Sequence, residues 1–84
     1  MKYKSKKDEK FEEIYQMYAN DLYRVCLYFA KEEKLAEEIF EQTFIDFYNY
    51  FEEIDSDCMF AYLVRAARDL FYEFRERRNY EPRS

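Results

Sequence analysis

The sequence predicts an all-α fold, a compact domain of three to four packed helices, on three observations. It holds no Gly and one Pro, Pro82, so the positive-φ turns that many short strands require are almost absent. Its apolar residues recur at three- and four-residue intervals over long stretches, the period of a helix with one buried face. Ten Tyr and nine Phe supply large apolar areas to a chain of 84 residues, near the lower size at which a domain folds unaided.

The first helix is expected from about Asp8 to about Lys31. Phe11, Ile14, Tyr15, Tyr18, Leu22, Val25, Cys26 and Phe29 make one continuous stripe there. Tyr23, Leu27 and Tyr28 widen it, as suits a helix with two neighbours. Asn20 and Asp21, both cap formers, are positions where this helix bends or a second segment opens. The polar run KEEK at 31–34 is the connection. A second helix follows from about Lys34 to Phe51, with Leu35, Ile39, Thr43, Phe44, Phe47 and Phe51 facing inward. The run EEIDSDC at 52–58 is an interior loop whose Asp55, Ser56 and Asp57 are good N-caps for the next element. The third helix is expected from about Met59 to about Asn79, with Phe60, Leu63, Ala67, Leu70, Phe71 and Phe74 on its core face.

Charge divides the chain. Residues 1–10 carry +3, residues 11–58 carry −10 and residues 59–84 carry +2, within a net charge of −5. A nucleic acid is therefore expected to approach the C-terminal third or the lysine-rich start, because the middle repels it. Residues 1–10 are expected to be a flexible basic tail and 80–84 a linker or frayed end.

Several function classes fit poorly. The chain has no His, and Cys26 and Cys58 form no CxxC pattern, so the usual zinc ligand set is missing. Reduced thiols in a cytoplasmic protein are expected, with a lone disulfide as the alternative. Carboxylate pairs such as Glu37 and Glu41 resemble those of di-metal bundles, but those sites also use His. No Ser/His or Cys/His couple exists, and a Gly-rich phosphate loop is impossible. We expect no enzyme activity, no cofactor and no metal. No apolar stretch approaches membrane-spanning length, and the start lacks the apolar run of a secretory signal.

The order FEEIYQMYANDLYRVCLYFA, LAEEIFEQTFIDFY, MFAYLVRAARDLFYEF resembles region 2 of bacterial sigma factors, closest to the extracytoplasmic-function (ECF) type. The resemblance covers roughly residues 11–78, so residues 11–79 are expected to form a sigma region 2-like helical domain. It implies a transcription-initiation module that grips RNA polymerase and opens promoter DNA at the −10 element. The implied partners are the clamp helices of the polymerase core β′ subunit, the single-stranded non-template strand of that element, and an anti-sigma factor, with no membrane.

Carried over by position, the resemblance places Ala36, Glu37, Glu38, Ile39, Glu41, Gln42, Thr43 and Phe44 on the polymerase-docking surface. Glu37, Glu38, Glu41 and Gln42 are the candidate contacts, since three carboxylates and an amide within about one turn suit Arg or Lys of a partner. Taken alone, such a run reads as a solvated acidic face, and the order of the motifs favours docking. The third helix resembles the DNA-contacting segment. Arg65 and Arg68 fall on arginine positions of the family's L-x-R-x-A-R-N pattern, and Tyr62 stands where the family usually has Trp. Arg65, Arg68, Tyr72 and Arg75 also form one helical stripe by spacing alone. The DNA-binding candidates are thus Tyr62, Arg65, Arg68, Tyr72 and Arg75, with Arg77 and Arg78 continuing the basic end. An arginine fork bonds two phosphate oxygens and stays charged. An alternative expectation for Arg65 is a partly structural role, paired with Glu52 or Asp55.

Four departures from the family pattern are visible. Asp69 replaces the usual Asn, the usual Gln-Glu pair is reversed as Glu41-Gln42, and KEEK replaces a Gly-containing turn. The loop that forms a pocket for a flipped base in the family carries Glu52, Glu53, Asp55 and Asp57 here, beside Ser56. Nothing after Arg78 is long enough for region 4, the promoter-reading helix-turn-helix. The expectation is either a fragment that ends in the interdomain linker or a protein that never had that half. Two further readings stay open: a sigma-like interaction protein without sequence-specific melting, and a helical homo-oligomerisation module using Tyr48, Tyr50 and Tyr62.

Overall fold

A computed structural model describes residues 5–80, with side chains through Arg77. Three helices follow one another: α1 (Lys6–Ala30), α2 (Glu33–Tyr50) and α3 (Met59–Tyr80). Two 3-10 turns, Phe51–Glu53 and Ser56–Cys58, join α2 to α3, and no strand occurs among the described residues. All three helices pack on one another. Ring contacts give their directions. Phe11 meets Tyr48 and Phe51 while Tyr23 meets Phe40, so α1 and α2 are antiparallel. Tyr18 meets Phe60 and Phe29 meets Phe71, so α1 and α3 run parallel.

Helix α1 begins at Lys6, not Asp8, and absorbs half of the stretch expected to be a flexible tail. The reason is local: Ser5 is extended and its hydroxyl accepts the Asp8 N–H at 3.1 Å, while Asp8 and Glu9 place negative charge at the positive end of the helix dipole. Residues 1–4 and 81–84 lie outside the described residues. Asn20 and Asp21 do not split α1, which runs through them unbroken; both are exposed while Leu22 beside them is fully buried. Tertiary packing outweighs their cap preference.

The stretch 31–34 is tighter than a polar connection. Lys31 takes φ 63° and ψ 6°, and its N–H reaches the Leu27 carbonyl at 2.8 Å to close α1. Glu32 then enters α2 in an extended conformation. This left-handed residue is where helices usually place Gly. With no Gly in the chain, a lysine does the work, at a cost of about 1 kcal/mol.

The core centres on Phe47, Phe51, Leu22, Ile39, Leu63, Thr43 and Cys26, all nearly or fully inaccessible. Leu35, Ile39, Thr43, Phe44, Phe47 and Phe51 are buried, as the helical period predicts. The Thr43 hydroxyl donates to the Ile39 carbonyl at 2.7 Å, so the buried polar atom is satisfied within its own helix. Met59 and Ala36 join the core as well. On α3, Leu63 and Ala67 are buried, whereas Phe60, Leu70, Phe71 and Phe74 are half-buried at its margin.

Both cysteines are free thiols, Cys26 buried and Cys58 exposed. The loop 52–58 is not irregular: Ile54 donates to Phe51 O at 3.2 Å and Cys58 to Asp55 O at 2.9 Å. Ile54 packs against the core and pins the segment, which leaves Glu52, Glu53, Asp55 and Asp57 exposed around it. Asp55 precedes the second turn without a side-chain cap hydrogen bond.

Candidate interaction surfaces

Helix α2 buries one side and turns the other to solvent. Of the eight positions that the resemblance assigns to docking, Ala36, Ile39, Thr43 and Phe44 are buried, and of these four only Phe44 borders a surface groove. Glu37, Glu38 and Glu41 are exposed. Gln42 is half-buried, and its amide donates one of its two N–H groups to Asp46 Oδ1 at 3.0 Å. Glu37 and Glu33 also face Tyr23 on α1. Burial first, then these two carboxylates, raise the Tyr23 hydroxyl above its ordinary range.

One residue of this face escaped the sequence reading. Ile45 is 58% exposed, one turn beyond Glu41 and two beyond Glu38 on the same side of α2. It borders a shallow groove of about 330 Å³, lined also by Phe11, Phe44, Tyr48 and Asn49. An isoleucine flanked by polar positions on a solvent face was a visible signal. The combination is an apolar knob and groove beside carboxylates, which suits a partner helix offering both basic and apolar side chains.

On α3, Arg65, Arg68, Tyr72 and Arg75 are all exposed and share one side. Among the described residues Arg65 makes no ion pair, so the pairing with Glu52 or Asp55 does not form. Arg68 meets Asp69 at 3.7 Å with both side chains largely in solvent, a contact of little strength that leaves the guanidinium available. Arg75 lies 5.8 Å from the Phe71 ring centre and Arg77 6.0 Å from that of Phe74. The Arg78 side chain lies outside the described residues.

Tyr62 is set apart from this stripe. It is half-buried, with its ring 5.9 Å from Phe47, on the flank of α3 that faces α2. Phe60 and Phe71 are claimed by Tyr18 and Phe29. Nor do Tyr48, Tyr50 and Tyr62 make a continuous exposed patch. Tyr48 hydrogen-bonds Asp8 and packs on Phe11, Tyr62 packs on Phe47, and Tyr50 alone of the three is exposed, at 52%.

No group of His, Cys, Asp or Glu able to hold a metal ion occurs among the described residues. No helix among them is long and apolar enough to cross a membrane.

The geometry agrees with what similarity shows. Over 63 residues the chain is 36% identical to the ECF RNA polymerase sigma factor SigM of Bacillus subtilis (strain 168). The match takes in 75% of this chain, which spans 39% of the length of that curated relative. No protein-family model and no solved structure matches the chain. The three-helix domain therefore contains a sigma-factor-like region.

Proposed function

We propose that this domain is a transcription-initiation module, docking through α2 on the RNA polymerase β′ clamp helices and presenting α3 to promoter −10 DNA. One observation carries the reading. The exposed carboxylates Glu37, Glu38 and Glu41 and the exposed cations Arg65, Arg68 and Arg75 stand on separate helices, so neither set neutralises the other. An acidic face recruits a basic protein surface, while the arginine stripe of an otherwise acidic chain recruits phosphate. Partnership with polymerase implies a cytoplasmic location, and the side chains present serve binding, not catalysis.

Docking is tested by capture of the full chain on an immobilised β′ clamp-helix fragment. Glu38→Lys combined with Glu41→Lys abolishes capture and leaves the circular dichroism of the domain unchanged. Equal capture of this variant and the parent overturns the docking half. DNA contact is tested with a single-stranded −10 oligonucleotide. Affinity falls with rising salt, and Arg68→Ala weakens it and reduces the salt slope by about 0.7. A salt-independent signal overturns the DNA half.

A second reading, polymerase binding without promoter melting, draws on the carboxylates of loop 52–58 and on Asp69. Four exposed carboxylates flank Ser56 where a flipped base would sit, and Asp69 accepts hydrogen bonds but donates none. Under that reading the −10 oligonucleotide binds no more tightly than one of scrambled sequence.

A further inference from the structure

Beyond the arginine stripe, the ends of α1 and α3 share a feature that neither helix shows alone. Because these helices run parallel, Tyr28 near the end of α1 and Tyr72 on α3 lie toward the same end of the domain. Two phenylalanines connect them. Tyr28 meets Phe29 at 6.0 Å between ring centres, Phe29 stacks on Phe71 at 6.0 Å and 17°, and Phe71 meets Tyr72 at 5.5 Å. The inner rings are half-buried, whereas Tyr28 is 74% and Tyr72 52% exposed.

A cation stands over this ledge at either side. Lys31 Nζ is 5.5 Å from the Tyr28 ring centre, and the Arg75 guanidinium is 5.8 Å from that of Phe71. Among the described residues neither cation is held in an ion pair. Tyr28 is the most exposed of the large hydrophobic side chains among the described residues. An exposed ring beside an unpaired cation has the chemistry of a base-stacking platform next to a phosphate contact, and such stacking accepts any base. The positive charge selects a polyanion over an apolar protein surface.

We infer that this ledge is a second single-stranded nucleic-acid contact, in which Tyr28 stacks an unpaired base and Lys31 and Arg75 hold the flanking phosphates. The inference rests on the nucleic-acid reading of α3, since Tyr72 and Arg75 belong to both surfaces. It extends the path of the strand from α3 onto the end of α1.

The test is fluorescence anisotropy of a fluorescein-labelled oligothymidylate of about 12 nucleotides with the full chain, a length suited to one small domain. Tyr28→Ala weakens binding roughly 5- to 100-fold without changing the salt slope, and Tyr28→Phe retains parental affinity. Arg75→Ala weakens binding and lowers the slope by about 0.7. If Tyr28→Ala binds like the parent while Arg68→Ala binds more weakly, the ledge is overturned and the α3 stripe stands. If Tyr28→Ala binds more weakly while Arg68→Ala does not, the ledge stands and the stripe falls. No binding by the parent removes both. Self-association in light scattering that Tyr28→Ala abolishes, with oligothymidylate binding unchanged, makes the ledge a contact between copies and overturns the inference.

Discussion

The Tyr48 hydroxyl donates to Asp8 Oδ1 at 2.5 Å, tying the first turn of α1 to the last turns of α2 across forty residues of chain. Lys7 adds its ammonium 4.2 Å from the centre of the same ring. The bond to Asp8, then burial, then the nearby charges of Asp8 and Glu52 hold the hydroxyl above its ordinary range. Tyr48→Phe keeps the ring against Phe11 and Phe51 and removes only the donor. Its melting temperature is expected to fall by roughly 5 °C in a circular dichroism melt. Tyr48→Ala falls further because the ring contacts go too.

Lys31 offers a stabilising substitution. Lys31→Gly removes the Cβ clash of the left-handed conformation but adds freedom to the unfolded chain, for a net gain of up to about 0.5 kcal/mol. Urea titration shows this as a higher midpoint at constant slope. Lys31→Ala, which keeps its Cβ, shows no such gain; an equal rise in both variants contradicts the account.

The thiols separate by burial. Cys58 reacts promptly with a disulfide reagent in the native protein, and Cys26 reacts only as the domain unfolds. Burial also pushes the Cys26 thiol up to about 11 from an ordinary 9.0, so the native state keeps a proton that the unfolded chain releases. Stability is full below about pH 9 and declines as pH rises toward about 11, by up to about 2 kcal/mol from this group. The raised Tyr23 and Tyr48 hydroxyls act in the same direction above their ordinary 10.0. Denaturant titrations at several pH values show a flatter decline for Cys26→Ala.

Neighbouring positions on α2 should respond oppositely. Ile45→Arg alters an exposed side chain, so stability changes by less than about 0.5 kcal/mol while clamp-helix capture drops at least about tenfold. Phe47→Ala empties the centre of the core and costs about 3–5 kcal/mol, enough to unfold much of a domain this small. Chemical denaturation and capture, measured on both variants, separate packing from docking.

The helices, their order and their inward faces were legible in the residues because a 3.6-residue period needs no knowledge of neighbours. Leu35, Ile39, Thr43, Phe44, Phe47 and Phe51 follow that period and are buried. The arginine stripe was legible for the same reason, its members standing three or four residues apart on one exposed face. Boundaries were harder: the Ser5 cap looked like part of a charged tail, and Lys31 carried none of the Gly signal that usually marks a left-handed helix end.

What the linear chain determined by itself was which side of each helix avoids water, since that depends on spacing and side-chain polarity alone. Which surfaces a partner can reach was decided only by packing. Half the positions expected to dock, Ala36, Ile39, Thr43 and Phe44, serve the core instead, while Ile45 beside them faces solvent. Tyr62 leans on Phe47, one N–H of the Gln42 amide bonds Asp46, and Tyr28 and Tyr72 meet through Phe29 and Phe71. Each of those outcomes depends on how one helix is rotated against another, a relation between distant residues that local periodicity does not encode.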